Sequence, residues 1–181
     1  MMNRAKLVHV PRAVASVTDE KRLVLVGSAT VLVAAKQVPL DMLNTNEIDA
    51  FAPDAPDEGM FSDLVEGSLG FGSVFFNTFG YAADGVSSKT ASMPSDWRDR
   101  ARSAPEVAPP GVEVIVPDID DIALAKMVAW RDKDRDWLEA GVRSLILDPK
   151  AMAARLSRLP AATPLDELER RMAVVSAYAT N

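Results

Sequence analysis

Glu47 and Asp49 stand two residues apart in TNEIDAFA, and their types and spacing suggest chemistry. On a strand that spacing sends both carboxylates to one face. Ile48, Ala50, Phe51 and Ala52 suggest a strand buried on both faces, where a carboxylate is costly unless a cation neutralises it. Mg2+ or Mn2+, which prefer hard oxygen ligands, meet that need. Ions held this way bridge triphosphate oxygens and lower the pKa of an attacking hydroxyl. The plainer alternative is a pair of solvent-facing acids on an edge strand. About twenty residues upstream, Gly27 and Ser28 lie where a strand turns into a helix. Backbone N–H groups at such a turn suit a phosphate, although Gly-Ser also recurs there for turn and capping reasons alone.

A two-metal clamp usually has a third acid. Glu113, on the strand VEVIV, is the candidate; alternatively it begins an exposed strand end beside Pro110 and Gly111. Further on, Lys126 precedes the charged run RDKDRDW. Such a run commonly means a solvated helix end. The sharper reading turns Lys126 and Arg131 back toward Gly27 and Ser28, with Asp134 orienting them. On one continuous helix Lys126 shares a stripe with Lys133 and not with Arg131.

The elements that must position these residues follow from pattern. Residues 1–21 suggest a short amphipathic helix broken at Pro11, with His9 as a surface or packing residue. Leu23–Val26 reads as a buried strand, Ser28 as an N-cap, and Ala29–Lys36 as a helix of about two turns. Glu47–Ala52 is a strand, and Glu58–Glu66 a helix turning Met60, Phe61, Leu64 and Val65 inward. SLGFGSVFFNTFGY fits either a loose-ended helix or a strand pair, and strand character is expected within Tyr81–Thr90. Val112–Val116 is the clearest strand. Pro117 ends it, and Asp118, Asp120 and Asp121 open the helix Ile122–Trp130 at its positive end. Helices are expected over Trp137–Leu147 and Ala151–Leu159, then a last one over Leu165–Tyr178 capped by Thr163. This is a mixed α/β (α+β) chain, with an α/β core over 1–120 and a helical region over 121–181.

Composition narrows the chemistry. A net charge of −6 over 181 residues argues against a general nucleic-acid coat protein. A DNA-binding regulator would rest on the short, acid-offset run WRDRAR. Cysteine is absent and His9 is the single histidine, so thiolate sites are excluded and a histidine centre is disfavoured. With no signal-like segment or membrane-length apolar run, the expectation is a cytoplasmic protein.

Together VGSATVL, TNEIDAF, the Gly-Tyr-Ala-Ala-Asp segment at 80–84, MPSDW and PDIDDIALAKMVAWRDKDRDW resemble minimal nucleotidyltransferases associated with toxin–antitoxin systems. The similarity is greatest to the family DUF6036 and more distant to the AbiEii toxins, and it spans roughly residues 23–147. The resemblance implies a polymerase-β-like core that transfers a nucleotidyl group from a nucleoside triphosphate to an RNA, protein or small-molecule hydroxyl. It assigns Gly27 and Ser28 to phosphate, Glu47 and Asp49 to metal, and Lys126 with Asp134 to the downstream motif. The family's acidic pair is usually Asp-x-Asp, whereas here Glu47 comes first, preceded by Asn44-Thr45-Asn46 without an arginine. A second reading follows: a non-catalytic protein of the same fold, an antitoxin or assembly partner, using the Gly- and Phe-rich segment as an apolar interface in a hetero- or homo-oligomer.

Overall fold

The short apolar runs assemble into one five-stranded mixed sheet in a computed structural model that describes residues 1–160 and 164–180. The expected cap at Thr163 lies outside the described residues. The strands are β1 (Arg22–Val26), β2 (Glu47–Phe51), β3 (Ala82–Gly85), β4 (Arg102–Ser103) and β5 (Glu113–Val116), ordered β3-β2-β1-β5-β4. β1 pairs antiparallel with β2 and parallel with β5, and β3 lies parallel to β2. This register sets Asp49 opposite Val26 on one side and Asp84 on the other.

Alternation along each strand splits the core in two. Leu23, Leu25, Ile48 and Ala50 pack on one face against α1 (Arg4–Thr18) and α3 (Glu58–Leu69), which contribute Leu7, Val10, Phe61 and Val65. Val24, Val26 and Phe51 pack on the other against α5 (Ile119–Ala129), α6 (Asp132–Arg143) and α8 (Leu165–Ala177), through Ile122, Met127, Trp137 and Met172. Glu47 and Asp49 belong by register to this second face. Among the described residues no helix is long and apolar enough to cross a membrane.

Several elements differ from the pattern-based expectation for identifiable reasons. α1 runs unbroken through Pro11, which is buried with Leu7, Val10 and Val14; their burial outweighs the missing backbone donor. The helix expected over Ala29–Lys36 shrinks to a 3-10 turn, Ser28–Thr30, and the short α2, Val31–Ala34. Arg102 donates to the Val33 carbonyl at 3.0 Å and Arg4 to that of Ala35 at 3.1 Å, occupying acceptors that a longer helix would use. In α3 the inward residues are Phe61, Val65 and Leu69, while Met60 and Leu64 face solvent. The Gly- and Phe-rich stretch forms α4, Val74–Phe79, with Phe75 and Phe79 around His9, whose Nδ1 lies 2.6 Å from the Tyr81 hydroxyl. After α5 the chain re-enters helix at Asp132, earlier than expected, and α7 covers only Pro149–Ala153.

The acids that open α5 do more than complement its dipole. Asp118 caps the helix by accepting from the Asp120 N–H, and Asp120 accepts from the Asp148 N–H at 3.0 Å. Asp121, fully buried, receives Arg100 at 3.0 and 3.1 Å and Arg155 at 2.9 Å. These bonds tie α5 to the 96–101 loop and to the segment after α7. They also occupy an arginine of the WRDRAR run: Arg100 binds Asp96 and Asp121, Arg102 binds Glu106, and Arg98 lies over the Trp97 ring. Replacing Asp121 by Ala removes the buried carboxylate the two arginines share, leaving Arg100 with Asp96 and Arg155 with Asp118, and is expected to cost about 2–4 kcal/mol. Chemical denaturation of the D121A variant checks this.

Candidate active site

The turn after β1 is built around a close approach. Gly27 has φ +76°, and a Cβ there would meet Asp49 Oδ2 at 2.1 Å and Cγ at 3.0 Å. The missing side chain is the space in which the Asp49 carboxylate sits. Thr30, fully buried, holds the turn by donating its hydroxyl to the Gly27 carbonyl at 2.8 Å. Ser28 is not the cap of the following turn; that position is Gly27's. The Ser28 hydroxyl instead accepts from Lys126 Nζ at 2.8 Å, leaving its own proton for an acceptor in the cleft.

Glu47 and Asp49 lean from β2 into this cleft, and Asp84 of β3 joins them. One carboxylate oxygen of each lies within 4.8 Å of the others. The parallel pairing that sets Asp49 beside Asp84 makes this cluster. Glu113, the candidate third acid, lies elsewhere. It pairs with Arg22 at 2.8 Å, at the start of β1, roughly 13 Å of strand from Val26 at ~3.3 Å per residue. β5 runs parallel to β1, so its first residue faces the end of the sheet remote from Gly27. In the sequence Asp84 is marked only as the single acid among small residues in YAADG, a segment that also carries part of the family resemblance.

Lys126 reaches the cleft from α5, with only 7% of its surface exposed. Its ammonium lies 3.1 Å from Asp134 Oδ1 and 5.0 Å from the centre of the Trp137 ring. Asp134 is fully buried at the start of α6 and also accepts from the Arg131 Nε at 2.6 Å and backbone N–H at 3.3 Å. Arg131 and Lys133 reach the cleft because α5 stops at Ala129, where Trp130 takes a left-handed conformation, and a new helix starts at Asp132. One-helix stripe geometry therefore does not apply. Lys133 Nζ stands 3.9 Å from Glu47 Oε1. Gly27, Ser28, Glu47, Asp49, Lys126 and Arg131 all line one cleft, with Ala125, Ala129 and Val86 as its apolar wall.

The electrostatics follow from crowding. Burial, then the charges of Glu47 and Asp84, push the Asp49 carboxyl up to about 7, against the pull of Lys126 and Lys133. Burial and Glu47 also raise Asp84. Burial lowers Lys126 despite Asp134 and Asp49 beside it. Burial opposes the charge on Asp134, but Arg131 and Lys126 outweigh it and hold its pKa below the ordinary value. The cluster therefore holds more negative charge than its cationic neighbours offset. Three convergent hard-oxygen ligands in that condition fit a divalent cation of the Mg2+ kind.

A family model described as "Nucleotidyltransferase of unknown function (DUF6036)" matches residues 5–178. No curated protein and no solved structure matches the chain with significance. The mixed sheet flanked by helices agrees with a nucleotidyltransferase-like fold.

Two outcomes are expected. Gly27→Ala combines a positive φ with the Asp49 clash and should destabilise by about 1–3 kcal/mol, read by thermal melting. For Asp49, the folded protein holds the proton more tightly than the unfolded chain. Its contribution is therefore fully present below the ordinary carboxylate range and is lost as pH rises toward about 7. In chelator at pH 8, Asp49→Asn should melt higher than the parent, by on the order of 1–2 kcal/mol. A lower melting temperature would contradict this charge balance.

Proposed function

The chain belongs to the DUF6036 family of nucleotidyltransferases of unknown function, and from that premise we propose that it is a metal-dependent nucleotidyltransferase acting on a nucleoside triphosphate. The observation that carries the reading is the convergence of Glu47, Asp49 and Asp84 in the cleft that holds Ser28 and Lys126. The triphosphate lies with its phosphates against Gly27 and Ser28. The positive charge there comes from Lys126, Arg131 and Lys133 more than from the short helix that follows. Glu47, Asp49 and Asp84 would hold Mg2+ or Mn2+, which when bound would neutralise phosphate charge and favour ionisation of the attacking hydroxyl.

An acceptor hydroxyl, on RNA, a protein or a small molecule, attacks the α-phosphorus in line. A new P–O bond forms, the bond to pyrophosphate breaks, and the acceptor proton passes to a carboxylate of the cluster. The protein contributes position and charge, as is usual in phosphoryl chemistry. Lys126 acts on the phosphates and orients Ser28, and Asp134 keeps Lys126 charged and aimed.

The second reading, a non-catalytic protein of the same fold serving as an antitoxin or assembly partner, draws support from Glu47. Its longer side chain stands where the family usually has aspartate, and Lys133 is its nearest cation. Transfer of α-labelled nucleotide to a panel of RNA, protein and small-molecule hydroxyls, paired with calorimetry of Mg2+-nucleotide binding, separates the two. Asp49→Ala and Asp84→Ala should each lower transfer by at least about a hundredfold with an unchanged circular dichroism spectrum. Glu113→Ala should retain it within about twofold, because its neighbour is Arg22. Full turnover by Asp49→Ala would sink the transferase reading, and micromolar, carboxylate-dependent nucleotide binding would count heavily against the second. If the toxin–antitoxin setting applies, expression of the parent should slow growth, and that of Asp49→Ala should not.

A further inference from the structure

We propose that the solvent face of α3, with the turn that follows it, docks a basic amphipathic helix of a partner protein. Met60 and Leu64 are 68% and 43% exposed along this face, and Phe71 and Val74 beyond its end are 60% and 83% exposed. Phe71 stacks edge-on with Phe76 at 4.9 Å, so the apolar surface continues onto α4. The inward stripe of α3 already fills the core, so this second stripe is surplus to the monomer's packing.

Charge identifies the occupant. From residue 37 to residue 88 the chain has no lysine, arginine or histidine. Exposed Asp63 and Glu66 flank the stripe on α3, and Asp57 stands at its N-cap. A second copy of this chain would set those acids against their own equivalents, and an anionic membrane would be repelled. A helix with apolar anchors flanked by Lys or Arg matches both the stripe and its rim. Gly67 lies on the same exposed face, and a Cβ there meets nothing within 4 Å. A mid-helix glycine costs roughly 0.5–1 kcal/mol, with no contact among the described residues to explain it; close approach by a partner backbone would. The surface is on the side of the sheet away from Asp49, so the proposal stands apart from the nucleotide site.

The test uses the full chain and two labelled peptides of helical period, one of Leu and Lys and one of Leu and Glu, followed by fluorescence anisotropy and backbone NMR. The Leu/Lys peptide should bind at least roughly tenfold tighter, with shifts confined to 58–79. Leu64→Gln and Gly67→Gln should each weaken it roughly tenfold while nucleotide binding holds and neither variant melts below the parent. Equal binding of the two peptides overturns the proposal. Shifts centred on Glu47 and Asp84 do the same. Weakening by Glu66→Lys but not by Leu64→Gln or Gly67→Gln reduces it to general attraction between opposite charges. Concentration-dependent dimerisation lost in Leu64→Gln would replace the partner with a second copy.

Discussion

The buried ammonium of Lys126 is the charge on which the arrangement depends. A lysine this far out of water is tolerated only with close counter-charges and hydrogen bonds. Asp134 supplies the first, the Ser28 hydroxyl the second, and the Trp137 ring a third contact. Asp134 and Trp137 both belong to α6, and Ser28 to the turn after β1. One ion pair therefore couples the turn after β1, the helix after β5 and the start of the next helix.

That coupling needs a rigid α5. At its N-terminus the helix is tied by Asp118, Asp120 and Asp121 to Arg155, Arg100 and the Asp148 N–H. At its C-terminus Arg171 of α8 donates to the Met127 and Val128 carbonyls, at 3.0 and 2.7 Å, and its guanidinium lies over Trp130. The C-terminal helices thus aim Lys126 as well as cover the sheet. Opposite it, Glu47, Asp49 and Asp84 are held by strand register, which leaves little freedom to relax their repulsion. A cleft with a fixed cation on one wall and crowded carboxylates on the other is the arrangement on which the proposed metal- and phosphate-binding role rests.

Much of this was legible in the residues. Short apolar, β-branched runs identified β1 and β5, and the i, i+2 spacing on β2 placed Glu47 and Asp49 on one face. The Gly27-Ser28 turn stood out by its position after a strand, and Lys126 by being a charge in an apolar helix. Less legible were the lengths of α2 and α3's inward stripe, because guanidinium groups and packing partners from remote segments decided them. The third acid was misread for a similar reason. Glu113 lay on the stronger strand, whereas Asp84 lay on four small residues whose strand character depends on pairing with β2.

Local chain chemistry by itself determined the apolar runs from which the main strands and helices form, their order along the chain, and that carboxylates and cations had to carry any chemistry in a chain without cysteine. Tertiary structure alone decided which acids meet. Strand order and direction put Asp84 beside Asp49 and sent Glu113 to the far end of the sheet, since register between distant segments is a property of the assembled sheet. It likewise decided that Lys126, Arg131 and Lys133 converge, because a break between two helices, not spacing along one, sets their directions.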